Sequence, residues 1–517
     1  MDRTMSMEAA PRKLTVAMIV RDAADVLAAT LDSIQGIADQ IVVVDTGSQD
    51  NTLALAEARG VTAIAHPWQD SFSEARNFAL SKATGDWILW LDAGETLSAA
   101  DAPKLRKFVD AEADPTCAYV MIVKVPQVAG GIGSEQIGKI RLLPNNGEIR
   151  FEGRVRETPI ASLAECEMQL DALPFPIFRS QRDHDPQRKS RKAVRDVQLV
   201  NLEIHEVGPS ARLMVCMAEA MQALGDHANA LTFYQQAQQL AEPNSTESLE
   251  AYYGILTAFD EQEDGLEKQI QACLAALEYY PLDAQLLCAM GGYLQSQGHL
   301  ELAIRSFETA YKYGQINPET WHIADIDQIA VSCYALATQL AGQPERAEEI
   351  LTEALAEHPG SIRLRRQIID MHVKYARRNE AMTHVQQLPE SFPNREAYRS
   401  AVRGAAAAAQ KNWVAARPYL ETAYRNGCRE TLCMRWLSIT LLALGMQNEA
   451  VELLNEWRSI DGASLEPQQL LASIEQANVN MTLPGDSRTI RVDTSPEAAR
   501  KARVADAARQ RDSSQLL

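Results

Sequence analysis

Two aspartates stand where an α/β sheet does its chemistry. Ile41-Val42-Val43-Val44 runs into Asp45 and Ile88-Leu89-Trp90-Leu91 runs into Asp92, so each carboxylate follows an apolar strand directly. In a parallel sheet, ligands bind outside the carboxyl ends of the strands. One such residue alone would serve as a helix cap; two, on successive strand ends, point to a site. The loop after Asp45, Thr46-Gly47-Ser48-Gln49-Asp50-Asn51-Thr52, is dense in capping residues and opens a helix. Its free N–H groups and glycine suit part of a nucleotide.

The elements that must hold these residues follow from periodicity. LTVAMIV (14–20), QIVVVD (40–45), VTAIAH (61–66) and WILWLD (87–92) read as strands, and ADVLAATLDSI, NTLALAEARG and FSEARNFALSKATG between them read as helices. Such alternation predicts βαβ units and a mostly parallel sheet covered on both faces. AYVMIVKV (118–125) and QIGKIRLLP (136–144), around PQVAGGIGS, predict an antiparallel or mixed extension of a domain that ends near residue 180.

From about 187 the pattern is helical throughout. Small residues recur at Ala230, Ala303, Ala347, Ala381, Ala416 and Ala450, with gaps of 73, 44, 34, 35 and 34. An apolar or aromatic residue follows each by four, as at Tyr234, Phe307 and Leu420. A repeat of about 34 residues is that of stacked helix pairs, whose close crossing requires a small side chain. Around 250–280 no small residue falls on the pattern. The tail from 477 is expected to be mobile, with one isolated helix in RKARVADAARQR.

The 517 residues leave room for two to four domains, by the usual domain size. With 50 basic and 69 acidic residues the net charge is −19, which speaks against a general affinity for nucleic acid. A hydrophobic share of 46% with 23% charged residues is that of a globular chain. No apolar run reaches the length of a membrane span, and MDRTMSMEAAPRK lacks a signal-peptide core, so a cytoplasmic location without a transmembrane segment is expected. Eight dispersed cysteines and nine scattered histidines offer neither a disulfide framework nor zinc-finger spacing.

VAMIVRDAADVLAATLDSI, IADQIVVVDTGSQDNT, HPWQDSFSEARNFAL, ATGDWILWLDAGE and RLLPNNGEIRFEGRVRE resemble, in order and spacing, the successive motifs of family 2 glycosyltransferases of the GT-A fold. The resemblance covers about 14–157 and is nearest to the bacterial subgroup that joins such a domain to tetratricopeptide repeats, which the region 210–465 resembles. The implied fold class is an α/β GT-A nucleotide-sugar-binding domain (12–186), a connecting helix (187–209), an all-α tetratricopeptide-like solenoid (210–476) and a tail (477–517). The implied activity is transfer of a sugar from a nucleotide-diphosphate donor to an acceptor with inversion, the repeats holding an acceptor protein or peptide.

Carried over position by position, the resemblance gives Val20, Asp22, Asp45, Ser48, Asp50, Arg76, Asn77 and Asp92 to the donor. Asp92 is the first carboxylate of the DxD-type motif, which holds a divalent cation, Mg²⁺ or Mn²⁺, against the diphosphate. The family usually has DADE where this chain reads Asp92-Ala93-Gly94-Glu95, so the second carboxylate is missing; Glu95 or His184 is then expected to complete the metal site, or His184 is a surface histidine. MIVKNE is expected where MIVRDA stands, and histidine at the position of Arg156. The general base is Glu152 or Glu157, and either could instead pair with Arg154 or Arg156. Seven basic residues over 179–195 either attract an anion or begin a solvated helix. The rival reading is a catalytically weakened scaffold that acts through its repeats.

Overall fold

The computed structural model describes residues 11–126, 134–260, 265–461 and 464–481. The tail beyond Met481, with the helix expected in it, lies outside the described residues.

The amino-terminal region runs β1 (Leu14–Val20), α1 (Leu27–Ser33), β2 (Gln40–Asp45), α2 (Thr52–Glu57), β3 (Ile64–Ala65), α3 (Phe72–Leu80) and β4 (Trp87–Trp90). It continues through β5 (Glu95–Leu97), α4 (Ala102–Ala111), β6 (Cys117–Val125), β7 (Glu135–Pro144), α5 (Ile160–Glu165) and β8 (Gln169–Arg179). The strands form one sheet in the order β3-β2-β1-β4-β7-β6-β8-β5. β1, β2, β3 and β4 are mutually parallel, while β7 returns antiparallel beside β4. This is the βαβ half plus mixed extension that the sequence predicts.

Both faces are covered, which is why the central strands are apolar at nearly every position. Val16, Met18 and Val43 pack on one side with Leu27 and Leu31 of α1 and Leu105 of α4. Ala17, Val42 and Val44 pack on the other with Ala79 of α3 and Leu163 of α5. β7 carries a bulge: Tyr119 of β6 pairs with Leu142 but the next residue, Val120, pairs with Ile140, so Arg141 is the extra residue on its strand. Bulges re-aim side chains beside active sites.

A single 3₁₀ turn, Gln181–His184, leads into α6 (Pro186–Val207). Helices then follow in pairs: α7 (Ala211–Ala223) with α8 (His227–Leu240), α9 (Thr246–Asp260) with α10 (Gly265–Tyr279), and α11 (Ala284–Ser296) with α12 (Leu300–Tyr313). After β9 (His322–Ile323), which pairs with β7, come α13 (Ile326–Leu340) with α14 (Pro344–Glu357) and α15 (Ile362–Lys374) with α16 (Arg378–Gln386). α17 (Arg395–Ala409) with α18 (Trp413–Arg425), α19 (Thr431–Ala443) with α20 (Gln447–Ile460), and α21 (Glu466–Met481) complete the described chain.

Ala230, Ala303, Ala347, Ala381, Ala416 and Ala450 are each the fourth residue of the second helix of a pair, and all are buried. The pair that the pattern misses, α9 with α10, has no alanine there: Gln269, the fifth residue of α10, is the buried one, with Cys273 and Ala276 buried four and seven later. Gln269 is buried and donates from Nε2 to the Leu256 carbonyl at 3.1 Å. The chain divides into two compact units. The first takes in the sheet, the helices to Met290 and the segment Gln315–Asp325; the second takes in Gly291–Gly314 and the repeats from Ile326.

Candidate active site

The loops after β1 and β2 are stitched to one another at the carboxyl edge of the sheet. Val20 and Asp45 are register partners. Asp45 is buried and its carboxylate accepts from the Gly47 and Ser48 amides, each at 3.2 Å, and from Ser48 Oγ at 2.5 Å. Asp22, held at φ +48°, donates its amide to Ser48 Oγ at 3.0 Å and accepts from the Gln49 amide at 2.7 Å. Asp50 accepts from the Ala24 and Thr52 amides at 3.1 and 2.9 Å. Desolvation would raise the Asp50 carboxyl, but the Thr52 and Ala24 donors outweigh it and hold it below its ordinary value. Five residues expected at the donor, Val20, Asp22, Asp45, Ser48 and Asp50, therefore lie together where these two loops meet.

The second half of the site is at the end of β4. Asp92 accepts from Trp90 Nε1 at 3.0 Å and pairs with Arg76 and with Arg141, each at 3.1 Å. Arg76, from α3, stacks 4.4 Å over Trp90 and reaches Glu157 at 2.5 Å. Burial opposes ionisation of Asp92, but the guanidinium groups of Arg76, Arg141 and Arg179 overcome it and hold the carboxyl far below the usual carboxylate range. Glu95 is 1% exposed and pairs with Arg141 at 2.7 Å and Arg179 at 3.1 Å, besides accepting the Asp92 amide at 3.0 Å.

These contacts bear on the expected metal ligands. His184 Nε2 contacts the Pro126 carbonyl at 2.9 Å, and Glu95 is consumed by two arginines. Among the described residues no group of three or more His, Cys, Asp or Glu side chains is arranged to hold a metal. The three expected ligands thus do not form one cluster, because Glu95 neutralises buried arginine charge and His184 serves a backbone carbonyl. Asp92 keeps its side chain 31% exposed, although Trp90 and Arg76 engage Oδ1 and Arg141 engages Oδ2. Mg²⁺ and Mn²⁺ sites often use one or two carboxylates together with substrate phosphates, and Asp92 fits that role.

Asn77 is spent on the backbone. It donates to the Phe151 carbonyl at 2.9 Å and accepts the Phe151 amide at 2.7 Å, fixing the segment that carries both candidate bases against α3. Glu157 bonds Arg76, whereas Glu152 is half exposed beside Arg150 at 3.2 Å. Neither pairs with Arg154 or Arg156. Arg154 binds Glu206 of α6 at 2.5 Å. Arg156, at φ +51°, reaches Glu219 of α7 at 2.5 Å and Glu250 of α9 at 2.7 Å. The basic stretch is likewise largely paired within the protein: Arg182 and Arg188 both bind Asp25 at 2.9 Å, and Arg195 stacks 4.7 Å over Phe72.

Arg141 is the residue that sequence reasoning missed. Its signal was a lone guanidinium inside the apolar run KIRLLP, since an arginine at 4% exposure must be partnered. One of its atoms, Nε, is buried without a partner.

Known proteins resemble the chain in both of its parts. A family model described as glycosyl transferase family 2 matches residues 15–149, and one described as tetratricopeptide repeat matches residues 340–403. A TPR repeat-containing protein of Synechococcus elongatus is 30% identical over 288 residues, 54% of this chain and 69% of that protein. An uncharacterized glycosyltransferase of Rickettsia felis is 37% identical over 86 residues, covering 17% of this chain and 30% of its own length. A solved tetratricopeptide repeat protein from Parabacteroides merdae aligns over 50% of this chain and 97% of its own, at 16% identity and a TM-score of 0.39. The chain belongs to the family 2 glycosyltransferases that carry tetratricopeptide repeats.

Proposed function

We propose that the protein transfers a hexosyl group from a nucleotide-diphosphate sugar to a protein or peptide acceptor with inversion. The observation that carries the reading is the assembly of Asp92, Arg76 and Arg141 at the end of β4, one strand from the stitched loops that follow β1 and β2. The nest around Asp45 orders a nucleotide without rearrangement, because its carboxylates are already fixed by the loops' own donors. Arg76 and Arg141 face the charge that develops on a departing diphosphate. A divalent cation bound at Asp92 would supply further neutralisation of that charge. Glu157 holds Arg76 in place, and Glu152 or Glu157 takes the acceptor proton. The repeats hold the acceptor, and the activity belongs to the cytoplasm.

The second reading, a scaffold with weakened activity, is favoured by Gly94, which leaves the motif one carboxylate short. One assay separates them. The intact chain is incubated with a panel of nucleotide sugars and Mg²⁺ or Mn²⁺, and both donor hydrolysis and transfer into cell lysate are scored. Turnover in wild type that is lost in a folded Asp92→Ala protein supports the enzyme; inactivity with every donor, with partner binding kept by Asp92→Ala, supports the scaffold.

A further inference from the structure

The segment from Glu152 to Thr158 carries both candidate bases and closes on itself. The Glu152 amide donates to the Thr158 carbonyl at 3.0 Å, and the Thr158 amide to the Glu152 carbonyl at 3.1 Å. One end of this loop reaches the site directly: Glu157 bonds Arg76 at 2.5 Å, and Arg76 pairs with Asp92 at 3.1 Å. A displacement of the loop therefore moves Arg76 against Asp92.

Helices grip the loop residue by residue. The Arg154 amide donates to Glu203 of α6 at 2.7 Å, and its guanidinium to Glu206 at 2.9 Å. Arg212 of α7 donates to the Val155 carbonyl at 2.5 Å and pairs with Glu203. It also lies against Gly153, where a Cβ would come within 3.1 Å of its Nη1. Arg156 reaches deepest into the repeats, to Glu219 of α7 at 2.5 Å and to Glu250 of α9 at 2.7 Å. Its backbone is at φ +51°, and a non-glycine residue keeps such a conformation only where its surroundings impose it. Those surroundings are two carboxylates, one from each of two successive helix pairs. A guanidinium held by one carboxylate can pivot about it; held by two in short charge-assisted bonds it has one place. All of these residues belong to the first compact unit.

We propose that Glu219 and Glu250 are positioning residues for the transfer: through Arg156 they fix the residue before Glu157, and with it the placement of Glu157 and Arg76 against Asp92. The inference rests on the glycosyltransferase reading and deepens it, because the first two repeats then supply part of the catalytic centre besides any acceptor binding.

The test is hydrolysis of nucleotide sugars by the full chain with Mg²⁺ or Mn²⁺, water taking the place of the acceptor, with kcat and KM separated. Glu219→Ala/Glu250→Ala should lower kcat roughly ten- to a hundredfold, the scale of a slightly misplaced reacting group, while calorimetric affinity for the nucleoside monophosphate stays within about twofold. Glu219→Gln/Glu250→Gln, which keeps an oxygen for each guanidinium N–H, should recover much of the rate. Removing both carboxylates strands the Arg156 charge, so a triple variant adds Arg156→Met, leaves no unpaired charge and should show the same fall. Glu349→Ala, which breaks an exposed pair with Arg346 in α14, is the control and should keep kcat. Hydrogen exchange over 152–158 should quicken in the double alanine variant, with β1 and β2 unchanged. Wild-type kcat in the folded double or triple variant overturns the proposal, as does an equal fall in Glu349→Ala or unaltered exchange over 152–158. If wild type turns over no donor, the glycosyltransferase reading fails and takes the positioning role with it; an active wild type beside an unaffected variant fails the positioning role alone.

Discussion

At the scale of single residues, Asp92 and Glu95 divide the work of one motif. Glu95 is buried against Arg141 and Arg179, so its task is to neutralise interior charge; Asp92 faces the site. Arg141→Met should therefore cost about 3 kcal/mol of stability, measured by denaturant unfolding, because it strips a buried carboxylate of a partner. Asp92→Ala should cost less stability and lose turnover. Gly94 has φ +100°, and a Cβ there would approach Ser180 Oγ at 3.1 Å. Restoring the family's second carboxylate with Gly94→Asp is thus expected to lower stability by roughly 1–3 kcal/mol and to fail to tighten metal binding, checked by melts and metal titration. The aspartates at the strand ends were legible because strand end and apolar run adjoin in the chain. The tasks of Asn77 and Arg141 were not, since the partners Phe151 and Asp92 lie 74 and 49 residues away.

At the scale of elements, apolar runs disclosed β1, β2, β4, β6 and β7 closely, because burial on two faces leaves an unbroken apolar stretch. β8 did not disclose itself: Pro174 and Pro176 interrupt it, and the β6–β8 ladder shifts register between Met121 and Val123, alongside that part of β8. The bulge at Arg141 was equally silent, since a register shift is a property of two strands together. Repeats were legible through their small residue, except in α10, which has no alanine there and buries Gln269 against a helix carbonyl. The junction of sheet and helices was the part least visible. Val155 shares a core with Leu199, Val200, Leu213 and Met214, and Trp68 and Phe72 pack against it. A chain ended after residue 185 should consequently bind a hydrophobic dye and aggregate, whereas the full-length chain should stay soluble and bind nucleotide; equal behaviour of the two would refute a shared core.

At the scale of the whole molecule, one of the two units carries a response to pH. In the second, burial, and then the charges of His372 and Arg365, push the His384 imidazole down to about 4 from 6.5, with Glu348 opposing. A group with a depressed basic pKa is neutral in the fold and takes up its proton more readily when unfolded. Its contribution is complete above 6.5 and is lost as pH falls from there towards 4. The melting temperature should accordingly drop between pH 7.5 and 5, and His384→Leu should shrink that drop; an unchanged slope would exonerate the pair. Among the described residues no helix is long and apolar enough to cross a membrane.

The core shared by Trp68, Phe72 and the first repeats has a consequence for synthesis. A ribosome adding about 5–20 residues per second needs roughly 10–40 s to pass from Trp68 to the end of α9 at Asp260. Throughout that interval the nascent catalytic region carries aromatic side chains whose cover has not yet been made. The repeats of the second unit close locally, each on its neighbour, and wait for nothing distant. Translation speed and holdase chaperones should thus govern the yield of active protein through the first 260 residues or so, and matter little for the remainder.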